Sequence, residues 1–449
     1  MRRKLQRDAI VIGGGPAGST AAGFLAKTGR SVVLFERERF PRYHIGESLL
    51  SATLPILDAL GVTPAIEQAG FLRKPGGTFL WGADREPWSF FFREDPGGRP
   101  YAFHVVRSEF DHLLLRHCAS LGTDVREGHR VKEVRYDERS KLTSVVAIDQ
   151  EGNEVTGEAP YVIDASGQQA MLGSRDQLRE FNPFFRNLAA FAYFENAQRL
   201  DGAIAGNILS AAFGEGWFWF IPLHDGTTSV GAVVDAARFA QEAKGDATAL
   251  YHRLVAACEP IARRLRDARL VSPVRVIRDY SYSSLRFYGP GYLLAGDAAC
   301  FIDPVFSTGV HLACLSGYLA AETIDAIQCG DDEASTLASY DSRYRAAFER
   351  YLGFLHFFYD HHVDPQSYFW EARKILNPDN PMTDKASFVR LVSGAADLAS
   401  LAADPDRLTA LHGQMNSATK RGRFAATPGA ELFRVRSTLK QMKNPGPRT

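Results

Sequence analysis

Neither sign of charge is in excess in this chain of 449 residues: 52 Lys and Arg stand against 52 Asp and Glu. A zero balance argues against the broad basic surface that binds nucleic acid or an anionic membrane. Cysteine is scarce. The five (Cys118, Cys258, Cys300, Cys314, Cys329) are scattered, odd in number and without a C-x-x-C. That pattern is neither a disulfide framework nor a zinc site, so no metal is expected and a reducing cytoplasm is the expected location. No apolar run reaches membrane-spanning length. The basic start Met1-Arg2-Arg3-Lys4 resembles the opening of a signal peptide, but the apolar run behind it is short and enters a glycine-rich turn, so it is not read as one. Internal repeats and low-complexity blocks are missing too.

What is there is ordinary for a globular protein, 45% hydrophobic and 23% charged. The length suits about three domains or lobes, or one large α/β enzyme. Phe (30) outnumbers Tyr (16) and Trp (5), which suits a buried aromatic interior.

The segment Asp8–Gly13 reads as a fully buried strand. It runs into Gly13-Gly14-Gly15-Pro16-Ala17-Gly18 and then a helix through Lys27, with Gly29 placed for a left-handed cap. A second strand, Ser31–Glu36, completes a β-α-β unit. Gly13 permits the tight turn, Gly15 lets backbone amides approach a pyrophosphate, and Gly18 lets the helix pack on the strand. The helix amino terminus then faces phosphates with its partial positive charge. Glu36 ends the second strand, where a carboxylate can bind ribose hydroxyls and disfavours a 2′-phosphate. Pro16, Ala17 and the adjoining Arg37 are counted with this dinucleotide site.

A second buried strand, Tyr292–Ala295, ends in Gly296-Asp297 and is expected to lead into a small-residue helix. Two strand ends converging on one nucleotide fit FAD better than NAD, with Asp297 accepting from the ribityl hydroxyls; the same residue suits a helix cap. Val106–Asp111 opens an amphipathic helix whose Arg107 reaches the flavin or its phosphates, or else is a surface or capping arginine. Tyr161–Gly167 reads as a further strand with a tight turn.

Together these pieces resemble the glutathione-reductase-type, Rossmann-like FAD fold of flavoprotein monooxygenases. Three segments narrow the resemblance to flavin-dependent halogenases, in the branch of the chondrochloren and calicheamicin-pathway enzymes. Gly216-Trp217-Phe218-Trp219-Phe220-Ile221-Pro222 is similar to that family's W-x-W-x-I-P signature. Phe71–Phe79 carries Lys74 where the family has a catalytic lysine. Gly296–His311 contains Ser307-Thr308-Gly309, which matches the halide-binding turn. The run Phe40–Leu50 also matches, with Glu47 and Ser48 at flavin-contact positions.

The resemblance implies an α/β fold with a mixed-sheet substrate lobe and a helical carboxy-terminal region. FAD binding is expected in residues 1–70, 105–175 and 275–335, the substrate lobe in 71–104 and 176–274, and the helical region in 336–449. It implies electrophilic chlorination of an electron-rich phenolic ring, on an acyl or peptidyl carrier protein, in natural-product biosynthesis. Reduced FAD and oxygen would form a C4a-hydroperoxide, and chloride held by the amides of Ser307, Thr308 and Gly309 would leave as hypochlorous acid. Trp217, Trp219, Ile221 and Pro222 would separate flavin from substrate, strand alternation putting the first three on one face. Lys74 would hand the oxidant over, a role that partial burial favours. Glu47 is either a second catalytic group or a structural flavin contact, and Asp279 lies on an alternating strand near the flavin ring. The Asp164–Gln168 segment lacks the second Asp-Gly motif of NADPH-using relatives, so a separate flavin reductase is the expected partner. Aromatic residues recur at helix spacing from Tyr344 to Phe358, with Tyr351 matching a pocket tyrosine. The basic tail (Arg434, Arg436, Lys440, Lys443) is a conceivable carrier-docking segment or a solvated end. The alternative reading is a hydroxylase or epoxidase of the same fold.

Overall fold

Ala9–Ile12 is apolar at every position and so has no face to give to solvent; the strand it forms is buried in the middle of a sheet. The computed structural model describes residues 5–82, 86–360, 363–377, 379 and 381–402, and the described residues fall in one compact unit. The six strands run in the order Tyr288–Gly289, Tyr292–Leu294, Tyr161–Asp164, Ala9–Ile12, Val32–Glu36 and Asp124–Glu127. All but the first are parallel, with Ala9 opposite Val32 and Tyr161 opposite Ala9. Their carboxyl ends therefore share one edge, the edge where open α/β sheets bind ligands.

The helix Pro16–Lys27 opens with Pro in its first turn. It crosses the longer helix Gly309–Cys329 at backbone contact: a Cβ on Gly317 would lie 2.4 Å from the Ala17 carbonyl oxygen. The expected helix directly after Asp297 does not form. Gly296–Ala298 is one 3-10 turn, and Cys300–Phe301 instead pairs with Tyr282 and Ser283. The backbone bonds that helix would have used go to this edge, and the helix starts later, at Gly309.

The larger sheet is mixed. Its order is Cys300–Phe301, Arg275–Ser284, Arg179–Glu195, Thr227–Asp235, Gly216–Pro222, Ile208–Phe213, Gly76–Leu80 and Pro87–Phe91. Arg275–Ser284, expected in the nucleotide-binding part, hydrogen-bonds into this sheet, as does Cys300–Phe301. On Gly216–Pro222 the faces separate. Phe218 and Phe220 pack with Leu209, Tyr251 and Ile261 in a core behind the sheet, while Trp217, Trp219 and Ile221 turn the other way. Leu72–Lys74 pairs separately with Ala102–His104, Lys74 opposite Ala102.

After Gly330 caps that helix in the left-handed region, Asp332 accepts from Ser335 N and starts Glu333–Phe358. Tyr344, Phe348, Tyr351, Phe354 and Phe358 of this helix are buried, as their spacing predicts. Pro365–Leu376, Asp384–Val392 and Ala395–Ala402 follow. The basic tail from Arg434 to Lys443 lies outside the described residues. Among the described residues, no helix is long and apolar enough to cross a membrane, and no cluster of His, Cys, Asp and Glu could hold a metal ion.

One close approach sets a test. Gly231 leaves the space that the Trp219 indole occupies, since a Cβ there would come within 2.2 Å of the ring. Gly231→Ala should cost about 1–3 kcal/mol of stability through overpacking. Chemical denaturation would measure it, and the tryptophan emission should shift because Trp219 must move.

Candidate functional site

The shared edge of the parallel strands opens into a cavity of about 450 Å³. Gly13, Arg37, Ala165 and Ala295, each the first residue after its strand, line it. Gly13 has φ +103°, and its Cβ would lie 2.3 Å from the Ala165 carbonyl oxygen. A Cβ on Gly18 would lie 1.9 Å from the Gly13 oxygen, so Gly18 packs the helix on the turn. Gly15, Pro16 and Ala17 face the cavity at the helix amino terminus, where free backbone N–H groups can meet a pyrophosphate. Arg42, within the quoted Phe40–Leu50 run but given no role by the sequence, sits beside Gly15 and pairs with Asp111 at 3.1 Å.

Glu36 lines one end and also braces the turn. Its two oxygens accept from Gly14 N (2.7 Å) and Glu38 N (2.8 Å), and each keeps a lone pair for a ribose hydroxyl. Asp297 lies further along, its carboxyl pushed up to about 6 by burial against the pull of Arg107. Arg107 lines the cavity, and most of its guanidinium hydrogens are engaged within the protein. It forks onto Asp111 (2.8 and 2.9 Å) and reaches the carbonyl oxygens of Ile45 (2.5 Å) and Gly46 (3.2 Å). Arg107 thus holds the segment that carries Glu47 and Ser48. Both of those residues line the cavity, and each presents a buried oxygen with no hydrogen-bond partner, Glu47 Oε2 and Ser48 Oγ. Burial pushes the Glu47 carboxyl up to about 7, opposed by Ser229, Tyr193 and Arg107.

A cavity with glycine-lined amides and a carboxylate at one end, a second carboxylate midway and orphaned polar atoms at the other fits an extended dinucleotide such as FAD. At the far end, Ser307 (φ +61°) and Gly309 line the wall, with nothing within 4 Å of where a Gly309 Cβ would stand. Thr308 caps the helix but does not line the cavity. Asp303 does line it. Its carboxylate accepts from Val305 N (2.9 Å), from the Asn187 side chain (3.3 Å) and from the Tyr359 hydroxyl. Burial pushes its carboxyl above the usual range. The sequence reading gave Asp303 and Tyr359 no role, because their link spans two distant segments. Ile277 lines the cavity from the strand that carries Asp279; the Asp279 side chain lies outside the described residues.

Trp217, Trp219 and Ile221 line the cavity as the alternation predicts; Pro222 does not, because it shares the parity of Phe218 and Phe220. The Trp217 indole donates to Tyr359 (2.8 Å), and that of Trp219 donates to Ser229 (3.1 Å). Trp217 touches Trp81, ring centroids 6.1 Å apart, and Trp81 stacks on Phe358 at 4.9 Å. Phe79, Trp88, Phe90, Tyr368 and Phe388 continue this aromatic cluster away from the cavity. Lys74 is not among the cavity residues. It is 2% exposed, donates to the Leu49 carbonyl (3.0 Å) and lies 5.5 Å from the Phe92 ring centroid. Arg73, its neighbour, points to the exposed Glu67. Tyr351, expected in a substrate pocket, does not line this cavity either: its hydroxyl donates to Asp397 (2.9 Å), which His311 also meets at 3.0 Å.

Burial pulls the Lys74 ammonium down to about 7 from 10.5. In the unfolded chain the amine holds its proton throughout the interval between these values, so folding expels protons there and stability rises with pH. Lys74→Met should remove that rise between pH 7 and pH 10. It should also stabilise the protein near neutrality, by an amount on the order of 4 kcal/mol if the whole shift counts. Denaturation midpoints of both proteins across that range are the measurement.

A family profile described as tryptophan halogenase matches residues 8–98 and 96–427. A tryptophan 2-halogenase of Chondromyces crocatus is 36% identical over 400 residues, 87% of this chain and 76% of the relative. A 1H-pyrrole-2-carbonyl-peptidyl-carrier protein chlorinase of Pseudomonas fluorescens is 32% identical over 378 residues, 78% of this chain and 83% of its own. A solved structure of the myxobacterial chondrochloren halogenase superposes with a TM-score of 0.76 at 42% identity, over 88% of this chain and 91% of that one. The chain belongs to the tryptophan halogenase family and is an FAD-dependent halogenase.

Proposed function

We propose that this halogenase chlorinates or brominates an electron-rich phenolic ring, presented on an acyl or peptidyl carrier protein, with Lys74 as the residue that passes oxidised halide to the ring. The observation that carries this reading is the burial of Lys74 outside the cofactor cavity. FAD, reduced by a separate flavin reductase, supplies the activation of oxygen when bound. Gly13, Gly15, Pro16, Ala17, Gly18, Glu36, Arg37 and Asp297 hold it, and Glu47 and Ser48 offer their unpartnered oxygens to its reactive end. The strands of the parallel sheet and their flanking helices form the cofactor lobe, and the larger sheet forms the substrate lobe under the carboxy-terminal helices.

The amides at Ser307, Thr308 and Gly309 receive the halide. Ser307 is held in the left-handed region and Gly309 has no side chain to block approach. The indoles keep the ring to be halogenated away from the cofactor, so oxygen is not inserted directly. An amine whose pKa lies near neutrality can donate a hydrogen bond to hypohalous acid or, unprotonated, bind the halogen. The aromatic cluster around Trp88, Phe90 and Phe388 supports an aromatic acceptor on that side. The carrier-protein assignment rests on the similarity to the pyrrolyl-carrier chlorinase.

Incubating the protein with a flavin reductase, bromide and phenols, free and pantetheine-linked, should give a bromine isotope doublet by mass spectrometry. Oxygenated product formed without halide would replace this reading with a hydroxylase. Lys74→Met should retain FAD binding and lose at least about a hundredfold of halogenated product. Undiminished product would take Lys74 out of the reaction.

A further inference from the structure

Halogenating a C–H bond with halide, oxygen and reduced flavin consumes a proton. The substrate hydrogen, the two hydrogens of the reduced flavin and one proton from solvent leave as two waters. Bound FAD would fill this cavity and leave the buried Glu47 to be reached through the protein. One chain of hydroxyls runs from Glu47 to the surface. Glu47, 3% exposed, lines the cavity with Oε2 unpartnered, and its Oε1 accepts from the Tyr193 hydroxyl at 2.8 Å. The Tyr193 oxygen lies 3.1 Å from the Tyr43 hydroxyl. Tyr43 is 45% exposed, and the Arg275 guanidinium lies 4.2 Å from its ring centroid, holding the ring at the surface.

We propose that Glu47, Tyr193 and Tyr43 form a proton relay that joins the cofactor cavity to solvent. It rests on the reading that the cavity holds FAD. In each transfer the Tyr193 O–H bond breaks as its proton forms an O–H bond at Glu47 Oε1. The Tyr193 oxygen takes the Tyr43 proton at the same time, and solvent hydronium supplies the proton that Tyr43 regains. Glu47 starts protonated at Oε2, and that O–H bond breaks toward the cavity as the Oε1–H bond forms. Rotation of the carboxyl group returns the hydrogen to Oε2, so no charge is stored on a phenol and nothing is oxidised or reduced.

The charged and titratable groups around the chain suit this use. Arg107 faces Glu47 from its helix, Asp225 from the turn before Thr227–Asp235, and Ser229 and Tyr193 from two neighbouring strands. Their balance, set mainly by burial, leaves Glu47 near neutrality, where a carboxyl both takes and gives a proton. Tyr43 faces Tyr193, Glu47, Arg275 and Arg107, and burial raises its pKa to about 12, so it stays protonated as a relay must.

The test uses the FAD-loaded enzyme. Bound FAD is photoreduced in weak buffer, and proton uptake is followed with an external pH-indicator dye. Tyr193→Phe, at a residue that does not line the cavity, should leave FAD affinity unchanged, and both it and, separately, Tyr43→Phe should slow uptake by at least about tenfold. Acetic acid or imidazole, small enough to carry protons in, should restore the rate, which a purely structural role would not produce. Uptake at the wild-type rate in Tyr43→Phe and Tyr193→Phe overturns the relay, as does slow uptake that no carrier rescues. If the wild-type protein takes up protons in this way but makes no halogenated product, the proposed substrate chemistry falls and the relay stands. A wild-type protein that does not bind FAD removes both.

Discussion

A β-strand has two faces, and Gly216–Pro222 loads both with large side chains. Phe218 and Phe220 close the core behind the sheet, which fixes the height and twist of the strand. Trp217, Trp219 and Ile221 are then committed to the cavity side by the two-residue period alone. A one-residue slip in register would exchange the sets and open the wall. The slip is opposed on both edges, by pairing with Ile208–Phe213 on one side and Thr227–Asp235 on the other, and by the fit of the Trp219 ring over Gly231. The wall is therefore anchored by a core that takes no part in chemistry.

On an acid and a base near this site the same force acts with opposite sign. Burial raises the Glu47 carboxyl and lowers the Lys74 amine, bringing both to about 7. For Lys74, no carboxylate contributes to the shift. Arg107 pulls the Glu47 carboxyl down through its charge alone, since its hydrogen bonds go to Asp111, Ile45 and Gly46, and burial outweighs that pull. The result is an acid–base group facing the cofactor cavity and another buried outside it, both able to change protonation state at neutral pH. Trp217, Tyr359 and Asp303 form a further hydrogen-bonded link, tying the wall to the end of the helix Glu333–Phe358 and to the turn before Ser307.

Local patterns carried much of this to the reader of the chain. The glycine spacing from Gly13 to Gly18 is legible because Gly13 and Gly18 answer local steric demands, and a Cβ on either would come within about 2 Å of a backbone oxygen. The faces of Gly216–Pro222 follow from alternation, which puts Trp217, Trp219 and Ile221 together on the cavity side. The helix expected after Asp297 failed for a non-local reason, since its backbone groups are taken by the edge of a sheet formed by Tyr282 and Ser283. Arg107 and Tyr351 were recognisable as polar groups near a site, but while Asp111 is one helical turn from Arg107, the Ile45 carbonyl it also meets and the Asp397 partner of Tyr351 come from packing.

From the order of residues alone come the cofactor-binding turn, the sheet that carries it and the two indoles on one strand face, because these depend on contacts between neighbours in the chain and on periods of two or 3.6 residues. Folding in three dimensions decides that Lys74 is withdrawn from solvent and from the cofactor cavity, that Tyr193 and Tyr43 line up behind Glu47, and that Tyr359 meets Asp303. Those pairings join segments 56 to 150 residues apart. Neither desolvation nor a hydrogen bond across such a separation leaves a mark in local sequence.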